Sequence, residues 1–230
     1  MAILAGIDGC PFGWVCVIQD TEKPSPRVVL AKYLKDFFTQ CKPDLVCIDI
    51  PIGLPDVGER RCDKEARSRL GWPRCTSVFT PPLRTALLAG SYQEASEIRF
   101  QLEGKKYPKQ SFAIFGKTRE VDEFVRECDP KQERIFEVHP EVCFMMLNKG
   151  EALAKKKKSP EGASKREALI RQVFPSLEYP AHAKSICGKD DVLDAFVALW
   201  TANRIAQGNE LVLPTQEQKD TYGLRMEMRA

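Results

Sequence analysis

The sequence predicts an α/β fold in which a mixed five-stranded sheet is flanked by helices and carries a mostly helical insertion. Three observations lead to this class. Three apolar runs near the start are separated by turns with no helix between them, which predicts an antiparallel meander. Later apolar runs alternate with helical patterns, which is typical of parallel strands. The 230 residues, of which 43% are hydrophobic, suffice for one large core, so we expect residues 1–230 to form a single domain.

The first strands follow from short apolar runs. Candidate strands cover residues 3–8, 14–18 and 27–30, and turn residues lie between them. Residues 33–41 predict a short helix, and residues 44–50 predict a fourth strand. After its first residue, Asp44, that strand is apolar except for Asp49, which indicates that both of its faces are covered.

The rest of the chain alternates helices with one further strand. Residues 56–129 are polar and punctuated by proline, and we interpret them as a mostly helical insertion. Its candidate helices cover residues 60–70, 84–88, 92–102 and 119–128. Beyond it we predict a fifth strand, three helices and a last edge strand, at residues 134–138, 140–147, 165–173, 190–206 and near 224–226. This order of elements is that of the ribonuclease H-like fold.

Four aspartates fall at positions that this fold would bring together. Asp8 closes the first strand and Asp49 the fourth, and these strands are neighbours in the topology. Asp191 and Asp194 are three residues apart and share one face of the last long helix. Clustered carboxylates repel one another unless a cation lies among them. Because Mg²⁺ prefers oxygen ligands, the four aspartates predict a Mg²⁺ or Mn²⁺ site.

Each acid also has a structural alternative. An aspartate at a strand end can form a turn, which applies to Asp8. Asp190 is expected to be the N-cap of the last helix, and Asp191 could act only on the helix dipole. Asp49 and Asp194 are harder to explain in this way, since the residues around them are apolar.

Several motifs resemble those of one family. They are GIDGC at 6–10, GW at 13–14, IDIPIGLP at 48–55, RCD at 61–63, AR at 66–67, SVF at 77–79, EVHPE at 137–141 with Phe144, and DDVLDA at 190–195. The set is collinear, spans nearly the whole chain and resembles the family called domain of unknown function 429. Members of that family are described as predicted ribonuclease H-like nucleases.

A more distant similarity is to the Holliday-junction resolvases. They also place one acid on the first strand, one on the fourth, and two on the last helix. Asp49 departs from their pattern, because they usually have the longer glutamate there. A basic loop before their last helices has a counterpart in residues 155–158.

The resemblance implies a nuclease that cleaves phosphodiester bonds of DNA or RNA. Two Mg²⁺ ions about 4 Å apart would lie between the carboxylates. Asp8 is expected to bridge them, Asp49 to bind one ion, and Asp191 and Asp194 the other. Glu137 could be a further ligand or a base, or could bond only to nearby backbone.

His139 is a candidate proton shuttle for the same reaction. It could give a proton to the leaving group or be a structural turn residue.

Basic residues are expected to hold the substrate phosphates. Five arginines follow the Asp49 loop, and four lysines form a second cluster; the best candidates among them are Arg61, Arg67, Lys157 and Lys158. A charge run is more often a solvated face. Trp72 and Phe79 could stack on bases, although packing is the expected role. The net charge of +3 permits an anionic partner without requiring one.

Two other function classes stay open. One is a nucleotide-binding phosphotransferase-like protein of the related kinase and ATPase fold. The chain is short for the two domains of such proteins and has no glycine-rich phosphate loop, so this class ranks lower. The other is a non-catalytic nucleic-acid-binding module, against which the retained acids argue. The oligomeric state is open.

Composition indicates a cytoplasmic protein. No apolar run is long enough to cross a bilayer, and the N-terminus lacks the pattern of a signal peptide. The nine cysteines are scattered without a C-x-x-C pair, which favours reduced thiols used as small hydrophobic residues.

Overall fold

Five strands pair into the central sheet of the computed structural model, which describes residues 1–23, 25–127, 133–179 and 186–230. They are β1 (Ile3–Cys10), β2 (Gly13–Asp20), β3 (Arg27–Ala31), β4 (Leu45–Ile48) and β5 (Ile135–Glu137). Their order in the sheet is β3-β2-β1-β4-β5. β1, β2 and β3 are antiparallel, whereas β4 pairs parallel with both β1 and β5. The predicted mixed sheet and its ribonuclease H-like order are confirmed.

Most helices lie close to their predicted positions, but the helix at Lys109–Ala113 was not predicted. The helices are α1 (Leu34–Cys41), α2 (Arg61–Leu70), α3 (Tyr92–Glu103), α4 (Lys109–Ala113), α5 (Phe115–Arg126), α6 (Pro140–Leu147), α7 (Pro160–Val173) and α8 (Lys189–Ala206). The helix predicted at 84–88 is a short 3₁₀ turn, and a second such turn covers Arg74–Ser77. α7 begins earlier than predicted, because the Ser159 side chain caps it by accepting the Gly162 N–H.

Both faces of the sheet are covered, which explains the continuous apolar run of β4. α8 crosses β1, β2 and β4 on one face, where α6 and α7 pack against it. α1 and α5 cover the other face through Phe37 and Val121, which lie in one core cluster with Ile7 and Ile48. The approach of α8 to β1 is close, since a Cβ on Gly6 would lie 2.1 Å from the Leu199 nitrogen.

The ends of the predicted insertion belong to the main core. Cys62 and Ala66 of α2 lie in the cluster on the α8 face, and Phe124 of α5 lies in the cluster on the α1 face. Between them, a separate small cluster forms around Leu83 and Tyr107. Residues 128 and 129, the end of the predicted insertion, lie outside the described residues. The section with a core of its own is therefore shorter than 56–129.

The predicted edge strand near 224–226 is wrong. The tail instead forms a two-stranded sheet from β6 (Val212–Leu213) and β7 (Met228–Arg229). Leu224, Met226 and Met228 are all buried, so the alternating pattern is real. Only the end of this segment, at β7, lies opposite a strand with which it forms a ladder.

Most cysteines of the described residues lie in the interior, as expected for small hydrophobic residues. The eight cysteines in the described residues are free, and all but Cys75 are buried. No described helix is both long and apolar enough to cross a membrane.

Candidate functional site

Asp8 and Asp49 lie side by side where the β1–β4 ladder ends. Asp8 does not close β1 as predicted, because β1 continues to Cys10 in its pairing with β2. The ladder continues past β4, since the Asp49 N–H donates to the Ile7 carbonyl at 3.0 Å. Asp8 is 7% exposed, and its Oδ1 accepts the Gly9 N–H at 2.7 Å. Burial, followed by repulsion from Asp49 and Asp194, raises the pKa of Asp8 well above its usual value. The sheet thus holds two carboxylates that oppose each other's ionisation.

Asp194 brings a third carboxylate to the same place from α8. It is 1% exposed, and its Oδ1 is buried with no hydrogen-bond partner in the part of the chain that the structure describes. Burial raises the pKa of Asp194 to about 6 against the opposing effect of Lys157. Burial and then Asp194 raise the pKa of Asp49 to about 8. The three acids from β1, β4 and α8 therefore form one electrostatic unit.

Lys157 supplies a positive charge to this unit. Its Nζ lies 2.7 Å from Asp194 Oδ2 and 3.7 Å from Asp190 Oδ2. Burial disfavours the charged ammonium, but Asp194, Asp8 and Asp49 outweigh that effect, and the pKa of Lys157 is raised. Lys157, which the sequence predicts to contact a substrate phosphate, therefore contacts carboxylates in this structure.

Asp191 caps α8. The N-cap is Gly188 rather than the expected Asp190, and Asp191 Oδ2 accepts the Gly188 N–H at 2.9 Å. Burial raises the pKa of Asp191, while this N–H lowers it. Asp191 also contributes to the raised pKa of Asp8. It combines a structural role with proximity to the three acids.

Glu137 is held by a buried arginine. Arg60 donates to its two carboxylate oxygens at 2.6 and 2.7 Å, and the Ile52 N–H donates to Oε2 at 2.7 Å. Arg60 also bonds Asp63 at 2.7 Å. Burial opposes the charge of Arg60, but Asp63 and Glu137 outweigh it, and the pKa of Arg60 is raised. Both oxygens of Glu137 are thus engaged.

The sheet register also separates Glu137 from the aspartates. Glu137 pairs with Ile48, which pairs with Ile7, so all three side chains share the face covered by α1 and α5. Successive residues of a strand point to opposite faces. Asp8 therefore lies on the α8 face, where its partner Val15 packs.

His139 is neutral and carries a free acceptor. Its Nε2 lies 3.2 Å from the Ser77 carbonyl, which only accepts hydrogen bonds, so Nε2 carries the proton. Nδ1 is buried and has no hydrogen-bond partner within residues 1–23, 25–127, 133–179 and 186–230. Burial lowers the pKa of His139, which favours the neutral ring at pH 7.

The other predicted phosphate contacts are divided between two places. Arg61 is exposed, and its Nη1 lies 3.2 Å from Gln216 Oε1. Arg67 donates from Nε to the Val78 carbonyl at 3.1 Å. Lys158 is exposed and, with Lys157, lies on the wall of a cavity that Arg61 and Arg67 do not line.

This cavity adjoins the acids and has a volume of about 390 Å³. Its polar wall includes Asp49, Asp194, Glu137, His139 and Arg74. Its apolar wall includes Val78, Phe79 and Ile114. Asp8 and Asp191 are not part of the wall. The predicted site residues therefore meet at the end of the sheet, but only some of them face the cavity.

Sequence reasoning gave one basic residue near the site another role and missed a second one. Arg60 is one of the five arginines expected to hold phosphates, but it pairs with Asp63 and Glu137, and its i, i+3 spacing from Asp63 could have indicated this. Lys117 of α5 had no local signal. Its ammonium lies 4.3 Å from the centre of the Trp14 ring and bonds the Gly13 carbonyl, and a Cβ on Gly9 would come within 2.5 Å of its side chain. Burial lowers the pKa of Lys117.

The donor set fits a hard cation, although it is not closed around one. No group of three or more His, Cys, Asp or Glu side chains within the described residues is arranged to hold a metal ion as it stands. Carboxylate oxygens are nevertheless the ligands that Mg²⁺ and Mn²⁺ prefer. Asp194 Oδ1, which is buried without a donor, is the strongest sign of a missing positive partner.

The fold and the site define a ribonuclease H-like α/β protein with a buried acidic cluster at the carboxyl ends of its parallel strands. The chain belongs to the family described as protein of unknown function (DUF429), whose sequence model matches residues 6–219. The predicted family is therefore confirmed.

Comparisons with individual proteins add less. No curated protein matches the sequence. T. thermophilus RuvC in complex with a Holliday junction substrate is a similar solved structure, with 11% identity and a TM-score of 0.35. The match covers 91% of this chain and 98% of that chain. A similarity at this level assigns no role to any residue of this chain.

Proposed function

We propose that this protein is a metal-dependent nuclease that hydrolyses phosphodiester bonds of DNA or RNA. The observation that carries the proposal is the convergence of three carboxylates, Asp8, Asp49 and Asp194, with raised pKa values. Buried acids that repel one another are costly unless a cation compensates them. One ammonium cannot balance three carboxylates, so the site has capacity for more positive charge.

Mg²⁺ or Mn²⁺ would be held by Asp8, Asp49 and Asp194. When bound, such an ion polarises a phosphoryl oxygen and lowers the pKa of its water. Lys157 would release Asp194 and become free to contact a substrate phosphate, as predicted from the sequence. Asp191, whose Oδ2 caps α8, would add negative charge close to Asp8.

His139 is suited to move a proton at the cavity wall. Its unpartnered Nδ1 can accept a proton and return it to a leaving oxygen. Glu137 would have a positioning role and would not bind the metal ion, because Arg60 donates hydrogen bonds to both of its carboxylate oxygens. Lys158, Arg61 and Arg67 would contact phosphates further along the strand.

The test combines binding with cleavage. Mn²⁺ titration by calorimetry should show binding to the wild type and its loss in Asp8→Asn and Asp194→Asn, while the exposed-site control Asp56→Asn should bind normally. The same proteins should be assayed with Mg²⁺ on labelled single strands, duplexes and four-way junctions of DNA and RNA. No metal binding, with or without an oligonucleotide, would contradict the proposal. Binding of nucleotides without cleavage of any polymer would also contradict it.

A further inference from the structure

The cavity beside the acids contains a buried arginine without a counter-charge. Arg74 is 9% exposed and lines the cavity, and its Nε is buried without a hydrogen-bond partner among the described residues. No carboxylate of the described residues forms an ion pair with its guanidinium. Leaving a buried charge uncompensated is strongly unfavourable in a folded protein.

The other buried arginines show what this chain normally does with such a charge. Arg60 binds Glu137 and Asp63, and Arg166 binds both oxygens of Glu141 at 2.6 and 2.7 Å. Arg74 is therefore the exception among these buried arginines. An anionic group of a ligand is the partner that its position allows.

The rest of the wall suits a flat, polar-edged group beside that anion. Val78 and Ile114 are apolar, and Phe79 is 44% exposed. His139 presents its unpartnered Nδ1 as a hydrogen-bond acceptor at the same wall. The volume of about 390 Å³ lies at the small end of the range for small-molecule sites. It has room for one nucleotide but not for a duplex.

We propose that this cavity binds one unpaired nucleotide unit, with its phosphate on Arg74 and its base between Phe79 and Ile114. Aromatic stacking favours every base, and Nδ1 of His139 would stay available for the proton transfer proposed above. This inference rests on the proposed nuclease function and specifies the form of substrate that the site would take. The substrate would enter as a strand end or a nucleotide extruded from its helix, because a base that is stacked within a helix cannot enter a pocket of this size.

Calorimetry in EDTA tests the pocket separately from the metal. The probes are AMP, GMP, CMP and UMP, their nucleosides, and ribose 5-phosphate. At least one monophosphate should bind the wild type, and its nucleoside and ribose 5-phosphate should each bind about tenfold more weakly or worse. Arg74→Met should remove the preference for the phosphate. The matched control is Arg69→Met, which changes an exposed arginine outside the cavity wall and should bind like the wild type.

Thermal unfolding separates a ligand role for Arg74 from a structural one. Without ligand, Arg74→Met should melt at the wild-type temperature or above it, because it removes a buried charge that lacks a partner. A structural arginine would instead lower the melting temperature when replaced. Equal binding of nucleoside and monophosphate, or a destabilised Arg74→Met with unchanged binding, would overturn the inference.

Different results would contradict the proposed pocket and the proposed nuclease function. Asp8→Asn, which is not on the cavity wall, should keep nucleotide binding while losing Mn²⁺. Cleavage and Mn²⁺ binding without nucleotide binding would overturn only the pocket. Nucleotide binding without Mn²⁺ binding or cleavage would overturn only the nuclease proposal.

Discussion

Lys157 Nζ lies 2.7 Å from Oδ2 of Asp194, the carboxylate whose other oxygen is buried without a partner. Asp194 sits on a long helix packed across the sheet, whereas Lys157 sits in the segment before α7. The side chain of a loop residue can move away from the carboxylates more easily than a packed helix can shift. The contact therefore places a removable cation where the carboxylates converge, and any metal ion bound there competes with it.

Lys157→Met should strengthen Mn²⁺ binding by about tenfold, because the ion no longer competes with an ammonium. In the absence of metal the same change should lower the free energy of unfolding by about 1–3 kcal/mol, since Asp194 loses its donor. Calorimetry and urea unfolding in EDTA check the two effects. Lys158→Met, an exposed neighbour, should change neither. Weaker Mn²⁺ binding by Lys157→Met would show that Lys157 supports the ion rather than competing with it.

Asp49 predicts a pH dependence of the metal-free protein. Its folded pKa of about 8 exceeds the value of about 3.9 for an unfolded aspartate. Between these values the folded state binds more protons, so the contribution is full below about pH 4 and is lost as pH rises through about 8. Asp49→Asn should flatten the decline by up to about 1.4 kcal/mol per pH unit.

Urea unfolding in EDTA at several pH values between 4 and 9 measures this slope. The exposed-site variant Asp56→Asn should retain the wild-type slope. An unchanged slope in Asp49→Asn would mean that Asp49 ionises freely in the folded protein.

Arg60→Met should lower the free energy of unfolding by about 3–5 kcal/mol, because it leaves Glu137 and Asp63 buried without their cation. Arg61→Met changes the exposed next residue and should stay within about 0.5 kcal/mol of the wild type. Chemical denaturation measures both. A small effect of Arg60→Met would indicate that the two acids do not depend on Arg60 for their burial.

Glu137→Gln decides whether Glu137 is a metal ligand. Both oxygens bind Arg60, and the strand register turns the side chain to the face opposite Asp8. Mn²⁺ affinity should therefore change by less than about twofold, while stability falls because a charged pair is lost. A loss of Mn²⁺ affinity comparable to that of Asp8→Asn would restore Glu137 as a ligand.

Gly6→Ala should destabilise the fold by about 1–3 kcal/mol or more, since its Cβ would lie 2.1 Å from the Leu199 nitrogen and 2.2 Å from the Ala195 carbonyl oxygen. These atoms are backbone of α8 and cannot turn aside. Gly116→Ala makes the same change on exposed α5 with nothing within 4 Å, and should be neutral or stabilising by up to about 1 kcal/mol. Comparable melting temperatures for the two variants would mean that α8 can shift away from β1.

Local patterns were sufficient to predict the frame of this protein. The apolar runs of β1 and β4 and the buried pattern of α8 depend on neighbouring residues, and all three lie where the sequence places them. Because β1 and β4 are adjacent in the predicted topology, Asp8 and Asp49 could be expected to meet. The prediction of a strand near 224–226 was wrong for the opposite reason. The ladder that forms in the tail is only two residues long, and its position depends on a partner strand that is remote in sequence.

The sequence by itself determined the sheet, its order, and the arrival of Asp8, Asp49 and Asp194 at one place. Only the tertiary structure decided which charges compensate one another. Lys157 binds Asp194, Arg60 binds Glu137, and Arg74 forms no ion pair with the described residues, although the sequence groups all three with the basic residues expected to hold phosphates. The reason is physical. Periodicity reports which side of a helix or strand is buried, whereas an ion pair depends on the distance between side chains that the chain brings together from remote positions.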